Sequence, residues 1–219
     1  MKTPTLRYAV IVAGGSGTRM GGALAKQFLP LADGTPILVQ TVRVFLALQN
    51  CQVIVVLPAS DRAFWHNLAE KYHISDHKIV PGGATRTQSV AAGMALVPSQ
   101  ALVAIHDGVR PFVTAALIEA CFTAAKEYGA TCAAVPSKDS LRHLLPDGSS
   151  QAVAREEYFL VQTPQTFLAK VWQDAYALVG KEGTYTDDAS LVEAAGHAIH
   201  LVPGSYANRK ITTPEDLPT

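Results

Sequence analysis

The sequence predicts an α/β domain built on a mostly parallel, doubly wound sheet, and three observations predict it. Short, continuously apolar runs recur along the 219 residues, stretches of helical period lie between them, and the two kinds alternate in βαβα order. Continuous apolarity, as opposed to strict alternation, suits strands covered on both faces, which is the habit of parallel sheets.

The elements follow in order. Tyr8 to Ala13 is the first apolar run, and Leu38, Val42, Phe45 and Leu46 form the first helical stripe. Val53 to Leu57 is the second run, and an Ala-rich helix extends to about Val97. Ala101 to Ile105 is the third run, followed by a stripe of Leu117, Cys121, Ala124 and Tyr128 that Thr114 is placed to cap. After the run Thr131 to Val135, a stripe of Leu168, Val171, Trp172, Ala175 and Val179 follows, with Thr166 as its expected N-cap. Ala198 to Val202 is the last run. One stretch departs from the pattern. From about 138 to 155 the chain is polar, with Asp147-Gly148 between two short runs, and Asp-Gly favours a hairpin turn. A two-stranded arm inserted into one domain spanning 1–219 is expected, resting on its own domain or on a second subunit.

Composition bounds the function. With 48% hydrophobic and 16% charged residues the chain has enough apolar surface for one sizeable core. Eighteen basic residues match eighteen acidic ones. No global field exists to hold nucleic acid or an anionic membrane, so an anion site must be built locally. Cys51, Cys121 and Cys132 have neither disulfide-framework nor zinc spacing and suit a reduced compartment. No run approaches the roughly 18 apolar residues of a membrane span, and no signal-peptide pattern is present; a cytoplasmic protein is expected.

The chemistry is expected beyond the carboxyl ends of the strands, where open α/β sheets bind ligands. There the first run leads into Ala13-Gly14-Gly15-Ser16-Gly17-Thr18-Arg19-Met20-Gly21-Gly22. Five glycines in ten residues let backbone amides approach phosphate. The loop matches neither a P-loop, nor GxGxxG, nor a hydrolase elbow. Its distinguishing feature is the cationic pair Arg19 and Lys26, a planar fork with a point charge, suited to a polyphosphate. A second glycine loop, Pro81 to Ser89, precedes a helix and could face a base or phosphate. The third run ends in His106-Asp107-Gly108-Val109-Arg110-Pro111. Asp107 either holds Mg²⁺ bridging phosphate oxygens or pairs with Arg110 to order the loop, and the two readings are compatible. His73 and His77 are four apart but lack a third ligand, and no zinc is expected.

These motifs, with Thr163-Pro164-Gln165, Thr186-Asp187-Asp188-Ala189-Ser190 and Lys210-Ile211-Thr212-Thr213-Pro214-Glu215-Asp216-Leu217, resemble those of the 2-C-methyl-D-erythritol 4-phosphate cytidylyltransferases. The resemblance covers about Ala13 to Leu217. It implies a Rossmann-like nucleotidyltransferase fold and transfer of a cytidylyl group from CTP to methylerythritol phosphate, in non-mevalonate isoprenoid precursor synthesis, with a divalent cation such as Mg²⁺. It implies that Ala13, Gly14, Gly15, Gly83, Ala84 and Ser89 hold cytidine and that Arg19 and Lys26 stabilise charge. Asp107, Ser140, Arg155, Thr163, Thr186 and Lys210 would hold the acceptor or its metal, and the arm would form a homodimer; Arg110 is a substrate-binding candidate through its pairing with Asp107. Arg155 has a second reading as a salt bridge within the arm, and Thr186 one as the cap of a helix starting at Asp187. Ala84 stands where many members have Asp, Ser140 where Thr is more frequent, and the sequence ends at Pro218-Thr219 where members continue. Two other functions are weighed: cytidylyl transfer to another polyol phosphate such as ribitol 5-phosphate, and a catalytically silent nucleotide-binding regulator.

Overall fold

The computed structural model describes residues 6–14, 24–180 and 183–217. The strands are β1 (Arg7–Val12), β2 (Cys51–Leu57), β3 (His77–Pro81), β4 (Leu102–Asp107), β5 (Ala130–Pro136), β6 (Arg142–Leu144), β7 (Ser150–Ala152), β8 (Phe159–Leu168) and β9 (His200–Pro203). The helices are α1 (Ile37–Leu46), α2 (Arg62–Lys71), α3 (Arg86–Met94), α4 (Ala115–Tyr128), α5 (Ala169–Val179) and α6 (Asp188–Ala194). Seven strands form one sheet in the order β3-β2-β1-β4-β8-β5-β9. All neighbours are parallel except β8, which runs antiparallel to β4 and β5 between them.

The sheet is covered on both faces, which is why its strands are continuously apolar. Successive side chains alternate faces. Ala9, Ile11, Val53 and Val55 pack in the layer that holds Phe45, Trp65 and Phe122 from α1, α2 and α4. Tyr8, Val10, Ile54 and Val56 pack in the opposite layer with Val90, Met94, Trp172 and Leu191 from α3, α5 and α6. Among the described residues no helix is long and apolar enough to cross a membrane. All three cysteines are free, and burial pushes their thiols up to about 12.

Two caps differ in outcome. Thr114 caps α4, its hydroxyl accepting from the Leu117 N–H at 3.2 Å. Thr166 does not cap α5. It lies buried within β8, its carbonyl accepting from the Thr131 hydroxyl at 3.1 Å, and the helix begins three residues later. The apolar stripe starting at Leu168 hid a ten-residue strand that ends there, because strand pairing with β4 and β5 satisfies the backbone that a helix would otherwise have used.

Between β5 and β8 the chain projects the hairpin β6–β7, paired from Arg142 opposite Ala152 to Leu144 opposite Ser150. Gly148 at its tip has φ 84°, and the Asp147 carboxylate accepts from the Ser149 N–H and hydroxyl at 2.9 and 2.7 Å. Leu144 is 70% exposed, and Tyr158 to Val161 at the base of the arm are exposed as well.

Candidate active site

β1 and β4 are neighbours in register, Val12 opposite Asp107, so the two loops that follow them meet at the carboxyl edge. Gly108 is required for this closeness. An added Cβ would lie 2.9 Å from both the Ala13 Cβ and the Leu38 side chain. Gly14 differs: a Cβ there would meet nothing nearer than 3.8 Å, so its missing side chain leaves open space instead of relieving a clash.

Asp107 is the centre of charge. Its Oδ2 lies 2.9 Å from Lys210 Nζ and 3.6 Å from Arg110 Nε, while Oδ1 lies 3.6 Å from Arg86 Nη2. Burial alone would raise its carboxyl, but Lys210, then Arg86 and Arg110, outweigh it and hold the group well below the usual carboxylate range. Both sequence readings of Asp107 therefore start from an ionised carboxylate, and the Asp107–Arg110 pair is present.

Each cation has its own support. Lys210 is placed by the turn that follows it. The Asp216 carboxylate accepts from the Thr212 and Thr213 N–H groups at 2.7 and 2.9 Å, and the Ile211 N–H reaches the Val109 carbonyl at 2.9 Å. The Thr212 hydroxyl, which also donates to it at 2.7 Å, and then the two N–H groups hold the Asp216 carboxyl down at about 2. Arg110 is buried and donates to the Asn208 carbonyl at 2.7 Å. Asn208, fully buried, donates in turn to the Thr163 carbonyl at 2.8 Å.

Thr163 is part of a directed chain. His106 Nε2 lies 3.2 Å from the Arg110 carbonyl, which can only accept, so Nε2 carries the proton. Burial pushes this histidine down to about 4, so the ring is neutral and Nδ1 accepts. The Thr163 hydroxyl, 3.0 Å from Nδ1, therefore donates inward to it while accepting from the Asp107 N–H at 3.1 Å. Its proton is committed to the protein, and a lone pair is what it has left to offer outward. The Thr163–Pro164 peptide is cis.

Gln165, two residues on, organises the start of α6. Its Oε1 accepts from the N–H groups of Asp188 and Ala189, both at 2.9 Å, and its Nε2 donates to Asp187 at 3.0 Å. The cap of α6 is Asp187, which accepts from the Ser190 N–H at 2.8 Å in a reciprocal capping box. Thr186 is thus not the cap, as it stands one residue before it, and it faces a cavity.

Two small cavities meet along a row of three side chains, Arg86, Asp107 and Lys210. One, of about 160 Å³, has Ala13, Gly14 and Lys26 on its far wall. The other, of about 170 Å³, has Arg110, Thr163, Thr186 and Asp187. Of the residues expected from sequence, the structure brings together Ala13, Gly14, Lys26, Asp107, Arg110, Thr163, Thr186 and Lys210. Gly15 and Arg19 lie outside the described residues. Gly83, Ala84 and Ser89, expected to hold cytidine, line neither cavity, and their polar groups are taken up within their own loop and helix. The Gly83 N–H donates to Ser89 Oγ at 3.1 Å, the Ala84 N–H to Gln88 Oε1 at 3.0 Å, and the Ser89 hydroxyl to the Thr85 carbonyl at 2.9 Å.

Ser140 and Arg155 are not brought to this centre within one chain. They line a separate hollow of about 530 Å³ at the arm, where Arg155 donates to the Lys138 carbonyl at 3.0 Å and pairs with Glu156 at 3.3 Å. The salt-bridge reading of Arg155 is the one seen in the single chain. Arg86 is the residue that sequence reasoning passed over. It was visible only as one cation in a glycine loop, and nothing in that loop announces the Asp188 carboxylate 102 residues away that it meets at 2.6 Å.

A family model described as 2-C-methyl-D-erythritol 4-phosphate cytidylyltransferase matches residues 8–219. A protein of that name from Bacteroides thetaiotaomicron is 47% identical over 212 residues, covering 95% of this chain and 94% of its own. One from Bacteroides fragilis is 46% identical and covers 96% of each. A solved 4-diphosphocytidyl-2C-methyl-D-erythritol synthase from Anaerococcus prevotii superposes with a TM-score of 0.84 at 29% identity, over 97% of this chain and 95% of its own. The solved cytidylyltransferase from Thermus thermophilus gives 0.77 at 32%, over 97% and 95%. On these matches and the site they span, the chain belongs to the 2-C-methyl-D-erythritol 4-phosphate cytidylyltransferase family.

Proposed function

We propose that this chain transfers the cytidylyl group of CTP to 2-C-methyl-D-erythritol 4-phosphate in isoprenoid precursor synthesis, forming 4-diphosphocytidyl-2-C-methyl-D-erythritol and pyrophosphate. Family membership supports the reaction. The observation that carries the assignment of the site is the row Arg86–Asp107–Lys210 between two cavities, one beside a glycine loop and one beside Thr186.

In the reaction an acceptor phosphate oxygen bonds to the α-phosphorus of CTP as the bond from that phosphorus to the β-phosphate bridge breaks, and pyrophosphate leaves with the electron pair. Both partners are anions, and the nucleophile is already ionised near neutral pH, so alignment and charge neutralisation matter more than proton removal. The site suits this. His106 is neutral and turned inward, while cations line both cavities. In this reading Lys26 and Arg19 stabilise the charge at the pentacoordinate phosphorus, and Lys210 and Arg110 orient the acceptor phosphate. Gly14 leaves space for the nucleotide, and the Gly83–Ser89 loop presents backbone to the base once its internal bonds are exchanged for ligand.

A Mg²⁺ ion fits this donor set. Asp107 is held ionised, the state such a ligand needs, and its oxygens now face Lys210, Arg86 and Arg110, so the ion would enter with substrate phosphates that take over those cations. Mg²⁺ typically takes one or two carboxylates and completes its shell with water and substrate phosphates. Asp107 would hold it, and the ion would supply neutralisation of phosphate charge.

The whole chain acts as one domain with the arm as an insertion. Ser140 and Arg155 complete the acceptor site of a second copy across a homodimer, which the exposed Leu144, Phe159, Leu160 and Val161 support as an apolar contact surface. Soluble phosphate substrates support a cytoplasmic setting. The test is pyrophosphate release measured with CTP and Mg²⁺, with and without methylerythritol phosphate, in parallel with ribitol 5-phosphate. Release that needs the first acceptor is expected. Release without any acceptor dependence, or faster turnover of ribitol 5-phosphate, would overturn the reading.

A further inference from the structure

We infer that Arg86 is a positioning residue that locks the nucleotide half of the site to the acceptor half; the inference rests on the reaction proposed above. Arg86 opens α3, directly after the loop that carries Gly83 and Ala84. Its Nη1 donates to Asp188 Oδ2 at 2.6 Å, and its Nη2 lies 3.6 Å from Asp107 Oδ1. Asp188 opens α6, directly after Thr186 and Asp187. One guanidinium thus joins the leading ends of two helices, and each of those ends follows a loop that the reaction proposed above assigns to a substrate.

The join is hard to release. Asp188 is 2% exposed, and its other oxygen takes the Trp172 Nε1–H at 2.9 Å. An Asp188 carboxylate without Arg86 would be a buried charge lacking its counterion, so the guanidinium stays where Asp188 holds it. With one edge so occupied, the fork geometry decides where its other edge points, which is toward Asp107 in the wall shared by both cavities. Asp188 on its far side is anchored through its own N–H to Gln165, which also holds the Asp187 cap. The distance between the two half-sites is therefore set through one rigid, planar group. A lysine, with a single point charge, cannot meet both carboxylates in the same way.

Such a residue governs how two bound substrates face each other more than how tightly each binds. A misplacement of about 1 Å between reacting groups can cost on the order of 100-fold in rate. The test uses full-length Arg86→Lys and the double variant Arg86→Met with Asp188→Asn, the second removing the buried charge together with its partner. Thermal melting, the Michaelis constants for both substrates and kcat from pyrophosphate release are compared with the wild type. The expected result is a double variant that melts within a few degrees of wild type. In both variants each Michaelis constant should stay within about threefold while kcat falls on the order of 100-fold. If the double variant fails to fold, Arg86→Lys decides by the same criteria. Near-normal kcat in a folded variant, or a loss confined to one Michaelis constant, would overturn the inference, as would unfolding of both, which would make Arg86 a residue of stability alone. A wild-type chain without CTP- and acceptor-dependent release would instead remove the underlying reaction, and this inference with it.

Discussion

At the amino end of β1, Arg7 donates to both oxygens of Glu119 at 2.8 Å and lays its guanidinium 5.1 Å from the Phe122 ring centre, beside a hollow of about 710 Å³. At the carboxyl end of the neighbouring β4, Asp107 faces three cations beside two hollows of about 160 and 170 Å³. Volume would choose the first end and charge chooses the second. Arg7 and Glu119 neutralise each other, and among the described residues Lys126 is the one other charged side chain lining that hollow. Four cations, Lys26, Arg86, Arg110 and Lys210, line the two hollows against Asp107 and Asp187, with Asp188 behind Arg86, so among these residues one positive charge is left over for an anion. The buried surroundings make that surplus felt more strongly than it would be in water.

Breaking the carboxyl end should have the largest effect. Lys26→Ala is expected to lower kcat by about 100- to 1,000-fold, the usual cost of one donor that meets charge developing in a transition state. Steady-state pyrophosphate release measures it, and a rise in the Michaelis constant for CTP with kcat intact would return Lys26 to simple ground-state binding.

The pH dependence of stability sharpens the contrast. An unfolded histidine titrates near 6.5, whereas folded His106 is pushed down to about 4 by burial. Between those values the unfolded chain binds a proton that the folded chain refuses, so acid favours unfolding. The His106 contribution is complete above pH 6.5 and fades as pH falls toward 4, a change of about 3 kcal/mol by linkage. Depressed Asp107 acts in the same direction but lower, as its contribution is present above the unfolded carboxylate value and is lost only in stronger acid. Urea denaturation at pH 7 and pH 4 should therefore show a smaller difference for His106→Asn than for wild type. Asparagine keeps an acceptor for the Thr163 hydroxyl and lacks the titrating ring. Equal differences for the two proteins would show that His106 does not titrate in the folded chain as described.

The arm gives an intermediate case. If a second copy uses Arg155, calorimetric affinity for the acceptor should fall about tenfold or more in Arg155→Ala, as for loss of a hydrogen bond to a charged group, with melting unchanged. Unchanged affinity would leave Arg155 as the intra-arm partner of Lys138 and Glu156. The smallest effect belongs to the amino end. Arg7→Ala should cost up to about 1 kcal/mol of stability, as a partly exposed ion pair does, and leave kcat/KM untouched. A loss of activity there would break the contrast between the two ends.

Much of the fold was legible because it rests on local pattern. The run Val53 to Leu57 and the stripe of Leu117 and Cys121 announced their elements, and Asp147-Gly148 announced the arm. β8 was not legible. Its first residues are exposed, its middle carries Pro164, and its end coincides with a helical stripe. Only its two antiparallel neighbours make it a strand. In the site, Lys26 and Asp107 stood out in or beside glycine loops, and Lys210 through the family resemblance of the motif it opens. Thr186 was placed at the right loop, but its second reading, as the helix cap, passes to Asp187, because a capping hydroxyl and a capping carboxylate one residue on look alike until the Ser190 amide picks one.

The sequence alone determined which segments are strands or helices in most of the sheet and where glycine opens the backbone. These follow from the covalent order of side chains and from the two-residue and 3.6-residue periods of the backbone. Tertiary structure decided that β8 enters the sheet, that His106 is neutral and points its proton at Arg110, and that Arg86 reaches Asp188. Each of those depends on burial and on partners distant along the chain, and desolvation acts on a charge or a hydrogen bond only after the chain has closed around it.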